Sequence, residues 1–183
     1  DALRDVVLIV GVTLLLALTA QIRIPLPNTP IPITGQTFGV LLAGACLGSN
    51  RGVAAALLYV VAGGAGIPVF ADWGHGLPWN LASGGYIIGF IPAAYLVGWL
   101  AERGWDRGPW LIVAMLLGNI VLYIPGLYQL SFFVPHDKVL AFGLYPFIPG
   151  DLIKLYMASL ALPVAWAATL RFQASVAVPT TWA

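Results

Sequence analysis

The chain has 183 residues, of which 60% are hydrophobic and only 8% charged, and its mean hydropathy is +0.92. A soluble domain carries about 25% charged residues, so this composition excludes a water-soluble globule and, equally, a disordered chain. The net charge of +1 is spread without runs, which excludes an electrostatic nucleic-acid footprint. With one cysteine, Cys46, there is no internal disulfide, and no Cys/His cluster signals a metal.

The reading is therefore an all-α polytopic membrane protein, a single membrane domain over 1–183. A crossing helix needs about 20 mostly apolar residues. In chain order the first candidate is 5–22; the 6–22 stretch resembles a signal peptide, but no small-residue cleavage pattern follows it and further apolar segments do. Next come two shorter stretches, 35–49 and 52–66, separated by Ser49-Asn50-Arg51. They are two short helices or a re-entrant hairpin. Leaving Arg51 in hydrocarbon costs about 2.5 to 3.5 kcal/mol, which favours two complete crossings. The remaining segments are 84–101, 109–126 and 149–171, giving six transmembrane helices.

Six crossings put both termini on one side. Arg4, Arg51, Arg103, Arg107 and Arg171 fall on that side, against Arg23 and Lys138 on the other. Basic residues accumulate in cytoplasmic loops, so a multi-pass cell-membrane protein with cytoplasmic termini is expected. The outer loops are then 23–34, 67–83 and 127–148. Small residues recur at helical spacing (Gly35, Gly39, Ala43; Gly44, Gly48, Gly52; Gly85, Gly89, Ala93), which suits close helix packing in the bilayer.

An ionisable residue inside a membrane helix is a functional candidate by default. Asp151 and Lys154, in Pro146-Phe-Ile-Pro149-Gly150-Asp151-Leu-Ile-Lys154, share a face at the start of the last helix. They are either a helix cap with its ion-pair partner or an acceptor and donor offered to a small polar molecule. Thr34-Gly35-Gln36-Thr37 follows Pro25, Pro27, Pro30 and Pro32, four prolines in eight residues, which fix an extended segment. That segment is a stiff connector or a lid over an outer pocket with Gln36 beneath. Ser83 and Tyr86 open the fourth helix after an aromatic loop bearing Trp73 and Trp79, which are interfacial anchors or pocket walls. Asn119 and Tyr123 lie four apart on the fifth helix, for an interhelical bond or the same cavity. His75 and His136 are lone loop histidines. Gln36, Ser83, Tyr86, Asp151 and Lys154 all fall near the outer boundary in this topology.

These residues carry a resemblance. Pro30-Ile-Pro32-Ile-Thr34-Gly35-Gln36-Thr37, Leu41 to Gly44 with Leu47-Gly48, Tyr59, Gly66-Ile-Pro68-Val69-Phe70-Ala71, Gly84-Gly85-Tyr86-Ile-Ile-Gly89-Phe90 and Pro146 to Lys154 resemble, in order along nearly the whole chain, the BioY family, the biotin-binding S-components of energy-coupling-factor (ECF) transporters. The resemblance implies a six-helix S-component-like fold that captures biotin from outside, not an enzyme. It implies biotin as transported ligand with no cofactor, and as partners a transmembrane coupling subunit and two ATPases, since the chain has no Walker motif of its own. Asp151 and Lys154 would then meet polar groups of biotin, Gln36, Ser83 and Asn119 its remaining polar edges, and Trp73, Trp79, Tyr86 and Tyr123 would complete the site. Three positions depart from the family pattern. Helix 1 has Thr13, Ala17 and Gln21 where an Ala-x-x-x-Ala stripe is common, Ser83 stands for threonine, and Gly35 for leucine.

Other functions fit less well. A rhomboid-type serine hydrolase needs glycine where Leu81 stands, and no nucleophile and base pair is legible. A channel needs polar stripes through the whole bilayer, and the cytoplasmic halves are apolar. An S-component for another vitamin is separated only by the family-like motifs.

Overall fold

The computed structural model describes residues 2–158. Helix α1, Ala2–Gln21, is continuous and the most exposed of the long helices. It leads into a two-stranded antiparallel ribbon, β1 (Arg23–Ile24) and β2 (Ile33–Thr34), with Arg23 opposite Thr34 and Ile24 opposite Ile33. The proline-rich stretch closed by this ribbon has no helix, as the fixed φ and missing N–H of its four prolines dictate.

Helix α2, Gln36–Gly64, is broken at Gly48, where φ is 79° and ψ is 178°. Glycine alone adopts that φ at low cost, and the chain uses it to reverse direction. Gln36 bonds to Tyr59, a pair that a straight helix would hold about 34 Å apart at 1.5 Å per residue. A Cβ on Gly52 would stand 3.1 Å from Gly44 Cα. The two expected short helices are thus the arms of one tight hairpin. Its break falls one residue before Ser49-Asn50-Arg51, because the positive φ belongs to Gly48 and not to the polar triplet.

Helix α3, Gly84–Leu100, continues into a wide turn over Ala101–Trp105. Helix α4, Gly108–Leu130, runs one turn past the expected end at 126. Pro125 and Gly126 do not stop it, since proline within a membrane helix forfeits one backbone bond that its neighbours compensate, and Leu130 beyond them is fully buried. Part of the expected outer loop is likewise helical, with the short α5, Val139–Gly143. The final described helix, α6, starts at residue 148. Its expected stretch beyond Ala158, and Arg171, lie outside the described residues.

Five stretches among the described residues are long and apolar enough to cross a membrane, and one of them, α2, is folded back on itself at Gly48. The helix packing is built on small residues. A Cβ on Gly44 would lie 2.7 Å from Ala94 O, and one on Gly89 would lie 2.8 Å from Leu122 O, so the predicted glycine stripes are places where helix backbones meet. Tyr59, Phe90, Leu16, Leu41 and Leu122 fill the centre.

The two ends of the bundle differ. At one end Arg51, beside the hairpin tip, pairs with Asp5 of α1 at 2.7 Å, and Glu102 accepts from Ser49 N at 2.7 Å and Ser49 Oγ at 2.9 Å. The α3–α4 connection with Arg103 and Arg107 lies at this tip end. At the other end are the ribbon, the 65–83 loop and the chain from 131 to 147. The grouping of the loops read from the sequence is therefore the grouping found.

Candidate ligand cavity

The first arm of α2 spans about a dozen residues to its break, hence roughly 18 Å, less than the ~30 Å hydrocarbon core. The helix therefore begins inside the bundle, and the space above Gln36 is walled by the ribbon, α3, α4 and α6. There the molecule holds a partly open cavity. Ile31 and Pro32 of the proline segment form part of its wall, and Thr29 Oγ1 ties that segment to Phe142 O at 2.8 Å.

Asp151 and Lys154 both line the cavity. Asp151 N donates to Phe147 O at 2.8 Å, a bond already inside the helix, so the residue is not the helix cap. Its carboxylate instead accepts from Tyr123 OH at 2.5 Å and from Lys154 Nζ at 3.2 Å. Lys154 Nζ also donates to Thr37 Oγ1 at 2.7 Å. Asp151 is buried and Lys154 largely so. A buried ion pair persists only with further hydrogen bonds to its members, and Tyr123 and Thr37 supply them. The lysine keeps donor capacity beyond these two bonds.

A second chain of bonds runs beneath the proline segment. Thr34 Oγ1 donates to Gln36 Oε1 at 3.2 Å, Gln36 Nε2 bonds to Tyr59 OH, and Tyr59 OH donates to Val69 O at 2.8 Å. The chain fixes the amide at the cavity floor. Tyr86 OH donates to Gly143 O at 2.9 Å, and its ring meets that of Tyr123 edge-on at 5.9 Å between centroids. Ile87, Phe90, Leu122 and Phe147 give the cavity an apolar flank.

Of the residues singled out in the sequence, Gln36, Ser83, Tyr86, Tyr123, Asp151 and Lys154 are brought together around this cavity. Trp73 and Trp79 are not in its wall. They are 65% and 62% exposed, Trp73 in a loop whose backbone turns through positive φ at Asp72 and Trp73, Trp79 lining an outer groove with Pro125, Tyr128 and Phe132. Asn119 is also outside the wall. It sits buried one helical turn from Tyr123, and its Oδ1 has no hydrogen-bond partner among the described residues. Thr37 and Tyr59 hold the site together, and residue-type reasoning did not single them out. A threonine one position after Gln36 offered only its place in a polar tetrad, and Tyr59 looked like any tyrosine in an apolar run.

Ser83 lines the cavity, but neither histidine does, and both are exposed. A braced charge pair in a half-apolar cavity of a membrane bundle is the chemistry of a site that holds a small polar ligand.

Comparison with known proteins agrees. The BioY family matches residues 1–171. The chain is 38% identical over 151 residues to the biotin transporter BioY of Thermotoga maritima, covering 81% of this chain and 87% of that protein. It is 34% identical over 168 residues to the biotin transporter BioY of Rhizobium etli, covering 86% and 90%. Its fold matches the crystal structure of the S-component for biotin from an ECF-type ABC transporter, with a TM-score of 0.78, 25% identity and coverage of 88% of this chain and 89% of that one. The architecture is that of a substrate-capturing membrane subunit. The chain belongs to the BioY family.

Proposed function

We infer that this chain is the biotin-capture subunit of a vitamin uptake transporter, and that the cavity at the ribbon end is where biotin is held. The observation that carries the reading is the Asp151–Lys154 pair, buried in an apolar bundle, braced by Tyr123 and Thr37, and lining the cavity. Family membership supplies the ligand. Biotin presents two ureido N–H donors, a ureido carbonyl, an apolar thiophane ring and a carboxylate, and the cavity offers matching chemistry. Asp151 accepts from a ureido N–H. Lys154 donates to a biotin oxygen, either the carbonyl or the carboxylate, while Gln36 and Ser83 meet other polar edges and Tyr86, Tyr123 and Phe90 pack against the ring. Asn119, Trp73 and Trp79 take part only if the bound state brings the ligand or the loop to them.

The basic residues at the tip end support placing that end, and the termini, in the cytoplasm, with the cavity facing outward. No Walker motif is present in the sequence, so the reading assigns energisation to a transmembrane coupling subunit and two ATPases on separate chains.

The test is equilibrium binding of labelled biotin to the purified chain, with thiamine and riboflavin as competitors. Saturable binding that neither vitamin displaces is expected. Displacement by one of them would reassign the cavity to that vitamin.

A further inference from the structure

The segment Phe70–Gly74 is a tight loop held in an unfavourable backbone conformation. Asp72 and Trp73, neither a glycine, have φ of 61° and 56°, where L-residues with a Cβ are strained. Such conformations persist when their surroundings over-determine them, and they cluster at ligand clamps and switches. Ala71, inside this loop, forms part of the cavity wall.

The restraints come from two directions. From within, Phe70 N donates to Gly74 O at 2.9 Å, and the Phe70 ring, only 3% exposed, meets Tyr59 edge-on at 5.4 Å. From outside, the end of α1 grips both sides of the strained pair. Gln21 Nε2 donates to Phe70 O at 3.0 Å, and Gln21 Oε1 accepts from Trp73 N at 3.1 Å. Two residues on, Arg23 pairs with Asp72 at 2.5 Å. That ion pair is exposed and therefore weak, whereas the half-buried amide satisfies two backbone groups at once. A leucine there would leave both unpaired.

We propose that Gln21 is the positioning residue of the binding cavity: its amide pins the strained Phe70–Gly74 loop against the site, so that the end of α1 sets how long the ligand is retained. This rests on the reading of the cavity as the biotin site. Among the described residues α1 is the least buried long helix and places no residue in the cavity wall, so Gln21 is the contact through which a shift of α1 reaches the cavity, at Ala71, without touching the ligand.

The experiment compares wild type, Gln21→Leu and Gln21→Glu in the purified full chain. It measures the dissociation rate of labelled biotin, hydrogen exchange of the 70–74 amides without ligand, and thermal unfolding. Gln21→Leu should exchange faster across the loop and release biotin about tenfold faster, the loss of one to two ordinary hydrogen bonds, at a nearly unchanged melting temperature. Gln21→Glu keeps the acceptor for Trp73 N–H and should fall between. Arg23→Ala should change the dissociation rate by less than either. Wild-type dissociation from Gln21→Leu, or a rate increase that merely follows a lowered melting temperature, overturns the proposal. A wild type that binds no biotin refutes the ligand assignment instead, and the exchange comparison then decides the clamp alone: unchanged protection in Gln21→Leu overturns it.

Discussion

The tip end and the cavity end of this bundle use the same lipid-soluble helices in opposite ways. At the tip, backbones touch: a Cβ on Gly98 would fall 2.4 Å from Ser49 N and 2.5 Å from Gly48 C, and Glu102 satisfies the first amide after the break. At the cavity end the helices stop short, the connections carry prolines and strained turns, and buried polar groups take the place of apolar packing. The difference teaches that the tip is closed by helix backbones and one carboxylate, whereas the cavity end keeps close backbone contact on its α3–α4 side, where a Cβ on Gly85 would fall 2.1 Å from Pro125 O, and opens beside it. Close packing at the tip fixes where α2 and α3 emerge, and the cavity is the space those fixed helices leave open.

The largest way to break the comparison lies at the tip. Gly98→Leu drives a side chain into backbone, which cannot yield as a flexible side chain does, and overpacking of this kind costs about 3 kcal/mol or more. Thermal unfolding in detergent should show most of the folded protein lost. Any surviving folded fraction should bind biotin with near wild-type affinity, because no cavity residue is touched.

Cavity substitutions should act on the ligand as well as on the fold. Asp151→Asn removes the charge that Tyr123 and Lys154 both address; hydrogen bonds to charged groups contribute about 1.5 to 3 kcal/mol, so biotin affinity of the folded protein should drop up to about 100-fold, and the melting temperature should fall because Lys154 is left buried without its counter-charge. Titration of the folded variant checks this. Tyr59→Phe acts one step further away, by freeing the Gln36 amide. It should cost about tenfold in affinity, a single ordinary bond, measured the same way. Smallest of all, Trp79→Ala should leave biotin affinity unchanged, since the indole faces the outer groove. A large loss there would show that the bound state folds the 65–83 loop over the ligand.

The helices were legible because lipid makes hydrophobicity continuous: among the described residues their bounds in sequence fall within a few residues of those found, apart from the one-turn extension of α4 past Pro125. The turn between the two short helices was legible through Arg51, whose charge demands an aqueous boundary. The cavity was legible where charge or polarity was out of place, as at Asp151, Lys154 and Gln36. It was not legible at Thr37 or Tyr59, whose roles depend on which helix faces them. Trp73 and Trp79 misled for a physical reason. An aromatic in a membrane-protein loop suits the interface and a pocket equally, and only the backbone turn at Asp72 decides which way the first of them points.

The central claim is that the buried ion pair grips the ligand. Its most direct test is equilibrium binding of labelled biotin to the purified chain and to Lys154→Met side by side, each shown folded by its melting temperature. Tight binding by the wild type and a loss on the order of 100-fold in Lys154→Met are predicted. Equal affinity in a folded Lys154→Met would contradict the claim and reduce the pair to a structural brace between α2, α4 and α6.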